Sequence, residues 1–340
     1  MLPLQDSTSD LDDGPRLAAR AAADGYLYFP GLLPATEVLE LRAAMLPDLA
    51  DLGWIIDHTG RANLNKFVDD TDAQVGELVC RHGVLPPTLS LQHHPRLIDL
   101  FTRLYGEAVL PLPRVLMRYN FPRRDQHRTP QHQDFPHVQG TARVFTAWIP
   151  LGDCVGDMGG LKIAAGSNHL GALPLHPAMG AGGMAVPGDF SGQWHGSDMR
   201  AGDVLLFNCL TVHAGRTNNS DLIRLSVDMR YQPRAEPVTE EWLHPHRRQF
   251  SWPELYAAHP GSPHHYYWRK YQLRTVPYDD SYYAARDRMG LQMAAAGDRR
   301  AEATLRRIVG RGTDPEQRAQ AIEALRLLAA SGEESAPGNE

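Results

Sequence analysis

Cysteine is scarce in this sequence, and its distribution argues against two kinds of site. The 340 residues include only Cys80, Cys154 and Cys209, and no two of them form a Cys-x-x-Cys pair. An odd, scattered set of cysteines argues against a disulfide framework and against a structural zinc site. It favours a reducing compartment, so we expect a cytoplasmic protein.

Long apolar runs and an excess of basic residues are also missing. No run of about 18 apolar residues occurs, so we expect no membrane span. The first residues have neither the basic start nor the apolar stretch of a secretory signal, and none is expected. The formal net charge of -6 and the pI of about 6.2 give no support for nucleic-acid binding. We expect a small-molecule substrate, and neither nucleic acid nor a membrane, as the partner.

The β-favouring part of the chain lies in its middle. Short apolar runs separated by glycine and proline fill residues 109–232, which predicts a mainly β protein with a sandwich or jelly-roll core. Helical periodicity lies on both sides of this region, so helices should flank the core. We expect a disordered N-terminus over 1–15, an enzyme domain over 16–290, a helical extension over 291–330 and a disordered tail over 331–340.

A His-x-Asp pair within the β-rich region is the first candidate for chemistry. On an extended strand, His132 and Asp134 would point to the same side. His213, at the end of the apolar run 204–213, is the candidate for a third ligand. Two imidazoles and a carboxylate form the facial triad of non-haem Fe(II) oxygenases. His-x-Asp alone is weak evidence, because a histidine at a strand end is more often structural.

An arginine follows on a strand with a clear alternation. Arg224 lies eleven residues after His213, and every second residue from Ile223 to Tyr231 is apolar. Arg224 could therefore clamp the distal carboxylate of 2-oxoglutarate with a two-pronged, charge-assisted pair. The alternative is a strand whose polar side faces water, and the residues leave both interpretations open.

The order of these motifs resembles the phytanoyl-CoA dioxygenase family, which includes ectoine-hydroxylase-like enzymes. Six blocks carry the resemblance over residues 109–232, and the segment beginning at Gly25 resembles the start of the family domain. The blocks are Thr129-Pro-Gln-His-Gln-Asp, Ala147-Trp-Ile-Pro-Leu-Gly-Asp, Gly159-Gly-Leu-Lys-Ile-Ala-Ala-Gly-Ser-Asn-His-Leu-Gly, Ala201-Gly-Asp-Val-Leu-Leu-Phe, Val212-His-Ala-Gly with Asn218-Asn-Ser, and Arg224-Leu-Ser-Val.

The resemblance implies a fold, a metal site and a co-substrate site. The fold would be a double-stranded β-helix, or jelly roll, with helices on one side. Fe(II) would be bound by His132, Asp134 and His213, with O2 and 2-oxoglutarate as co-substrates. The co-substrate would lie on Arg224. Trp148 would lie near the metal, and Asn120 would place a polar group on the co-substrate.

Two arginines and two departures from the family pattern concern the rest of the pocket. Arg114 and Arg118 share the alternating face that carries Asn120, and they are candidates for binding an anionic substrate. A surface position is the alternative for Arg118.

Two positions depart from the family pattern. Gln131 stands where an aromatic residue often precedes the first histidine. Gly215 stands where serine or threonine often bonds the co-substrate, so Ser226 or Thr217 would have to substitute.

The carboxylate ligand also bears on the type of reaction. Iron halogenases of related fold replace it with a small residue, so Asp134 disfavours halogenation. Hydroxylation of a C–H bond in a metabolite or secondary-metabolism intermediate, with release of succinate and CO2, is the expected reaction. Desaturation, epoxidation or cyclisation at the same site stays open. So does a non-catalytic jelly-roll protein that binds a metal or small molecule.

The aromatic and histidine-rich segment 242–283 has no clear periodicity. The adjacent pair His264-His265 could suggest a second metal site, but neighbouring side chains on a strand point apart. An aromatic interface, or a flap over the mouth of the barrel, is favoured instead because amphipathic rings suit interfaces. We therefore expect that a homodimer, if one forms, uses this region.

Overall fold

The core of the protein consists of two facing β-sheets, with the helices within residues 14–105 on the outer side of the larger sheet, as a computed structural model of residues 1–333 shows. Among these described residues, the helices are α1 (Gly14–Asp24), α2 (Ala35–Asp51), α3 (Ala73–His82), α4 (Pro86–Gln92), α5 (Pro95–Tyr105), α6 (Phe135–Val138), α7 (Trp252–Tyr256), α8 (Ser281–Ala295), α9 (Glu302–Arg311) and α10 (Pro315–Glu333). The strands are β1 (Tyr26–Phe29), β2 (Val109–Pro111), β3 (Leu116–Asn120), β4 (Phe145–Pro150), β5 (Leu161–Ala164), β6 (His176–Pro177), β7 (Met184–Ala185), β8 (Trp194–His195), β9 (Val204–Asn208), β10 (His213–Gly215), β11 (Arg224–Pro233), β12 (Val238–Thr239) and β13 (Thr275–Val276).

The two sheets pack face to face. The larger sheet has the strand order β1-β9-β4-β11-β2, with β3 also paired to β11, and the smaller sheet has the order β10-β5-β8. All pairings in both sheets are antiparallel. Strands β6-β7 and β12-β13 form two small additional sheets. Tyr28 and Trp148 of the larger sheet share one apolar cluster with Ile163 of the smaller sheet. The interior of the predicted jelly roll therefore lies between the sheets.

Strand β11 separates the interior from the helix layer. Its apolar residues Leu225, Val227 and Met229 belong to the main core cluster, together with Leu17 of α1 and Leu41 of α2. The polar residues between them therefore point the other way, into the space between the sheets. All ten residues of β11 are buried, so its polar side does not face water.

The first helix has a clear signal at each end. Asp13 accepts a hydrogen bond from the backbone N–H of Arg16 and so satisfies a donor of the first turn. Gly25 ends α1 at a φ of 75°, a left-handed conformation that favours glycine. The strand β1 follows at once.

The extreme N-terminus differs from the prediction of a disordered segment over 1–15. The backbone N–H of Leu2 donates to the Trp194 carbonyl at 2.8 Å, and that of Ser7 donates to the Tyr28 carbonyl at 2.8 Å. Leu4 packs in the apolar cluster between the sheets. The segment is ordered because it supplies partners for the ends of β8 and β1 and covers apolar surface that polarity alone did not reveal.

The C-terminal helices form an extension whose first boundary was placed wrongly. The predicted limit between residues 290 and 291 falls inside α8, because the helix begins at Ser281. Residues 331–333 of the predicted tail belong to α10, and residues 334–340 lie outside the described part of the chain. None of the helices in the described part of the chain is long and apolar enough to cross a membrane.

Four of the large aromatic side chains of 242–283 are buried within the chain. Trp242, Trp252, Tyr267 and Trp268 are each less than 8% exposed and pack in one cluster within the chain. The predicted homodimer would therefore have to use other residues of this region. The end of this segment instead lies close to α6, which follows Asp134. Tyr278 there donates a hydrogen bond to the Pro136 carbonyl oxygen at 2.9 Å.

An ion pair joins the C-terminal extension to the loop before α3. Arg307 Nη2 lies 2.5 and 2.6 Å from the two carboxylate oxygens of Asp70. Arg247 and Arg311 donate to the Asp70 carbonyl at 2.7 and 2.9 Å. The Gly182 N–H also donates to the Asp70 carboxylate, at 3.2 Å. Three separate parts of the chain therefore meet at this one residue.

Replacing Asp70 with asparagine should lower the free energy of unfolding by about 2 kcal/mol, a value between those for exposed and buried ion pairs. The reason is that Arg307, with a side chain only 5% exposed, loses its charge partner. Urea denaturation followed by circular dichroism measures the change. Asp221→Asn is the control, because Asp221 and Arg123 form an exposed pair that should contribute little. Equal stabilities of the Asp70 variant and the wild type would contradict the prediction.

Candidate metal centre

Two histidines face the same point because their backbones pair directly. His132 and His213 each donate a backbone N–H to the other's carbonyl, both at 2.9 Å. Residues paired in this way across antiparallel chains present their side chains on the same side. The ring centroids are 4.1 Å apart. Residues 132 and 213 are far apart in sequence, so only the fold brings these rings together.

The orientation of each imidazole is set by a backbone carbonyl. Nδ1 of His132 lies 2.9 Å from the Pro130 carbonyl oxygen, and Nδ1 of His213 lies 3.0 Å from that of Thr211. Each Nδ1 must carry a proton to donate to such an acceptor, so each Nε2 keeps its lone pair. This is the arrangement of a histidine that binds metal through Nε2, with a second hydrogen bond fixing its tautomer.

Asp134 completes the cluster, although the predicted strand geometry around it is wrong. Asp134 has φ -77° and ψ -20°, a helical conformation, and α6 begins at the next residue. Its carboxylate nevertheless converges with the imidazoles, because Oδ1 lies 3.9 Å from Nε2 of both His132 and His213. The Asp134 carboxylate therefore faces the imidazoles because the chain turns into α6 at this point, and not because side chains alternate along a strand.

The second carboxylate oxygen of Asp134 is occupied by other protein groups. Oδ2 accepts hydrogen bonds from Thr146 Oγ1 and from Arg230 Nη2, each at 2.8 Å. Asp134 and Arg230 are each 1% exposed. Neither Thr146 nor Arg230 was among the predicted site residues. The period-two polar face of β11, which contains Arg230, was the signal that could have identified it.

Burial keeps the imidazoles neutral and the carboxylate charged. Burial, together with the nearby His213, lowers the pKa of His132 to about 3, and burial also lowers the pKa of His213. Burial alone would raise the pKa of Asp134, but the Arg230 guanidinium holds it well below its usual range. All three groups are therefore in the protonation states that metal ligands require.

The donor set fits a divalent iron ion. One ligand atom from each of His132, Asp134 and His213 can be chosen so that all three lie within 4.8 Å of one another, and all three residues are buried. Two neutral imidazoles and one carboxylate suit Fe(II) and leave coordination positions open for other ligands. Within residues 1–333, this is the one group of three or more such side chains that could hold a metal.

Arg224 lies in the interior, 6% exposed, with its hydrogen-bond donors directed to neutral groups. Its Nε donates to the Gly159 carbonyl at 3.1 Å, and its Nη1 donates to Ser226 Oγ at 2.6 Å. The Asn120 amide, in the orientation that satisfies both its polar atoms, accepts from Arg224 Nη2 at 2.9 Å. The guanidinium also lies over the Trp148 ring, 5.6 Å from its centroid. The four residues predicted for the co-substrate pocket therefore lie together.

Arg118 and Arg114 have different surroundings. Arg118 lies on β3 opposite Ser226, and its Nε and Nη2 lie 2.7 and 2.6 Å from Asp228 Oδ2. Its side chain is 40% exposed, so the pair with Asp228 does not enclose it completely. Arg114 precedes β3 and bonds to the side chain of Glu241 and to backbone carbonyls of 241, 244 and 245. The tentative role of Arg114 in substrate binding is therefore corrected to a structural one.

The two departures from the family pattern have local explanations. Gln131 donates through Nε2 to the carbonyls of Val186 and Gly188, at 2.9 and 3.0 Å, and so joins the loop 186–188 to the His132 segment. A Cβ added at Gly215 would lie 3.3 Å from Arg128 Cγ, so the glycine leaves room for that arginine. Thr217 donates to Asp125 and does not replace the missing hydroxyl. Ser226, which contacts Arg224, is the hydroxyl that remains.

The comparisons with known proteins bear on the family. The model of the phytanoyl-CoA dioxygenase family matches residues 22–226, which is more than half of the chain. The chain belongs to the phytanoyl-CoA dioxygenase family. The resemblance inferred from the sequence motifs is therefore confirmed. So is the enzyme class that it implied, an Fe(II)- and 2-oxoglutarate-dependent dioxygenase.

Three individual proteins illustrate what this phytanoyl-CoA dioxygenase family member is similar to. The 1-deoxypentalenic acid 11-beta-hydroxylase of Streptomyces exfoliatus is 29% identical over 244 residues, which cover 67% of this chain and 84% of the relative. The structure of EctD from S. alaskensis is 18% identical, covers 82% of this chain and 93% of its own, and has a TM-score of 0.50. The epimerase SnoN, in complex with Fe3+, alpha ketoglutarate and nogalamycin RO, is 26% identical with a TM-score of 0.48; the match covers 66% of this chain and 85% of SnoN. The likeness to EctD supports the predicted jelly-roll fold.

Proposed function

We propose that this dioxygenase hydroxylates a C–H bond of a small carboxylated metabolite, with iron bound by His132, Asp134 and His213. The observation that carries the proposal is the convergence of two Nε2 atoms and one carboxylate oxygen in a buried position. Each Nδ1 is held by a carbonyl, and the second oxygen of Asp134 is held by Thr146 and Arg230. Such a preorganised centre is typical of a site that binds metal for catalysis.

Charge supports Arg224 as the residue that binds 2-oxoglutarate. Burial lowers the pKa of Arg224, and no carboxylate of the described residues forms an ion pair with it. A buried guanidinium without a charge partner is costly. The distal carboxylate of 2-oxoglutarate would supply the missing negative charge, while Ser226 and Asn120 orient the guanidinium and Trp148 covers it. The proposed co-substrate pocket is therefore electrostatically incomplete without its ligand.

Residues around the proposed centre would exclude water and hold a ligand ring in place. Iron loaded with 2-oxoglutarate supplies, in the presence of O2, the oxidant that converts C–H to C–OH while 2-oxoglutarate becomes succinate and CO2. The apolar cluster containing Trp148, Ile163 and Phe207 lies between the sheets and excludes water from that side of the centre. Phe207 packs against His213, with centroids 4.3 Å apart. The ligand ring is thereby held in place.

The substrate class rests on Arg118 and on one relative. The relative from Streptomyces exfoliatus hydroxylates an acid, as its name states. In this chain, Arg118 is anchored to Asp228 yet remains 40% exposed on the inner face of β3. An arginine that is oriented by one carboxylate and open on its other edge suits a second carboxylate. We propose that the substrate carboxylate takes this position.

The decisive experiment is a screen for succinate release with Fe(II), 2-oxoglutarate and a panel of carboxylated metabolites. A hydroxylase gives a product heavier by one oxygen atom, whereas desaturation or cyclisation gives a product lighter by two hydrogen atoms. Asp134→Ala should abolish both succinate release and product formation. A metal-binding protein without catalytic function would bind the iron but release no succinate with any compound, and that result would contradict the proposal.

Replacing Arg118 with methionine should raise the KM for a carboxylated substrate by roughly 10- to 100-fold, the loss expected for a hydrogen bond to a charged group. The dissociation constant of 2-oxoglutarate should stay the same, because Arg224 is intact. The methyl ester of the same substrate is the control compound: wild type and Arg118→Met should turn it over with similar KM values. A KM defect that persists with the ester would assign Arg118 to a structural role.

A cytoplasmic location also remains a proposal. Cys80, Cys154 and Cys209 are all free and buried in the structure. Burial raises the pKa of the Cys80 thiol to about 11, which keeps it protonated and unreactive. Free thiols of this kind suit a reducing compartment.

A further inference from the structure

Asp134 presents its two oxygens to different surroundings. Oδ1 lies 3.9 Å from both ligand imidazoles, whereas Oδ2 accepts from Thr146 and Arg230. An oxygen that already accepts two hydrogen bonds at 2.8 Å, one of them charge-assisted, is a poor additional ligand. The carboxylate can therefore offer a metal one oxygen and leave the neighbouring coordination position open.

The guanidinium of Arg230 packs against an aromatic residue that, like Arg230 itself, lies beyond the matched family region. Trp242 is 2% exposed, and the guanidinium of Arg230 lies 4.8 Å from the centroid of its ring. Among the described residues, Nε and Nη1 of Arg230 are buried without a hydrogen-bond partner. The electron-rich ring face is the favourable contact that remains for the unbonded part of this cation. The family match ends at residue 226, so neither Arg230 nor Trp242 belongs to the matched region.

Trp242 is itself tied to the segment that carries the carboxylate. Its Nε1 donates to the His137 carbonyl at 2.7 Å, three residues after Asp134. Arg114 lies against the same ring, 5.0 Å from its centroid, and pairs with Glu241. The indole thus contacts α6 and two arginines at once. This gives the start of the aromatic segment 242–283 a definite place beside the metal centre.

We infer that Arg230 is a positioning residue that restricts Asp134 to binding metal through one oxygen, and that Trp242 holds Arg230 in place for this purpose. The inference rests on the proposed metal site and adds the part of the centre that lies outside the family region. In the simplest alternative, Arg230 only neutralises a buried carboxylate and stabilises the fold. Only the positioning role predicts that replacing Arg230 changes metal coordination in protein that is still folded.

The test compares Arg230→Met with Arg230→Lys in the full-length protein. Co(II) affinity is measured by competition with a chelator, and the visible spectrum is recorded at saturating Co(II). Arg230→Met should weaken Co(II) binding by about 10- to 100-fold, as loss of an outer-shell partner does. Its spectrum at saturation should also change, because the released second oxygen of Asp134 can reach the metal. Arg230→Lys keeps a charge at Oδ2 and should lose less affinity.

Two further variants separate positioning from general loosening. Arg114→Met removes the other arginine from Trp242 without touching Asp134, and its folded protein should bind Co(II) as the wild type does. Trp242→Leu removes the ring and should weaken Co(II) binding, whereas Trp242→Phe keeps an aromatic face and should weaken it less. Thermal unfolding of each apo variant confirms that the protein is folded before titration.

The outcomes separate this inference from the proposed function. If wild type fails to bind Fe(II) or Co(II), the proposed metal site itself is wrong. If wild type binds and Arg230→Met, although folded, has the same affinity and spectrum, only the positioning role is overturned. An equal loss of affinity in Arg114→Met would overturn it too, because that variant leaves Asp134 untouched.

Discussion

Replacing Asp134 with alanine is expected to weaken Fe(II) binding by more than about 100-fold, since loss of even an outer-shell partner costs 10- to 100-fold. The carboxylate is the one anionic ligand of the proposed centre, and it lies 1% exposed between two neutral imidazoles. Its removal leaves Arg230 as a buried positive charge beside the position of a divalent cation. Electrostatic repulsion therefore adds to the loss of a ligand.

The measurement is an anaerobic titration of the apoprotein with Fe(II) in the presence of 2-oxoglutarate, followed by visible absorption. Wild type should develop a weak charge-transfer band, and Asp134→Ala should not. His137→Ala is the control, because the His137 ring lies 6.3 Å from that of His132 and bonds to Tyr283. As a neighbour and not a ligand, His137 should be dispensable for the band. If Asp134→Ala retained the band, the proposed metal centre would be wrong.

The proposed metal ligands could be predicted because two kinds of information agreed at His132, Asp134 and His213. Residue types indicated iron chemistry, and the order of motifs indicated a family. The local geometry was not predictable, because Asp134 is helical and β10 has only three residues. The pairing of His132 with His213 joins segments that are distant in sequence, and no local pattern encodes such a contact.

The alternation along β11 shows a different limit of sequence reasoning. Periodicity correctly separated the side that carries Arg224 from the apolar side, but it left open whether the polar side faced water. The strand is buried on both faces because the smaller sheet covers one and helices cover the other. A pattern of period two reports the difference between two faces, and it does not report what covers the polar one.

Arg114 shows why neighbours on a predicted strand can differ in role. The strand β3 begins at Leu116, so Arg114 lies outside the alternating segment. Its guanidinium bonds to residues 241, 244 and 245. Those partners come from a segment without clear periodicity, where sequence reasoning had assigned an interface or flap. Arg118, four positions after Arg114, lies within the strand and has a side chain that is 40% exposed.

Replacing Arg224 with methionine should raise the dissociation constant of 2-oxoglutarate by roughly 100-fold or more, the loss expected for two charge-assisted hydrogen bonds. Methionine keeps much of the side-chain length against Trp148 but removes every donor. Isothermal titration with Zn(II)-loaded, catalytically silent protein measures the constant. Metal affinity in the absence of co-substrate should be unchanged, because Arg224 contacts Gly159, Ser226 and Asn120 and none of the proposed ligands.

Three comparisons make the result specific to the distal carboxylate of the co-substrate. Arg224→Lys keeps the charge but not the planar pair of donors, so it should lose less affinity than the methionine variant. Arg118→Met should bind 2-oxoglutarate as the wild type does, since the proposal places Arg118 on the substrate. Pyruvate, which has the 2-oxo acid but no distal carboxylate, should bind wild type and Arg224→Met equally weakly. If Arg224→Met retained full affinity for 2-oxoglutarate, the buried guanidinium would need another anionic partner. The assignment of Arg224 to the co-substrate would then be wrong, while the assignment of the three metal ligands would be unaffected.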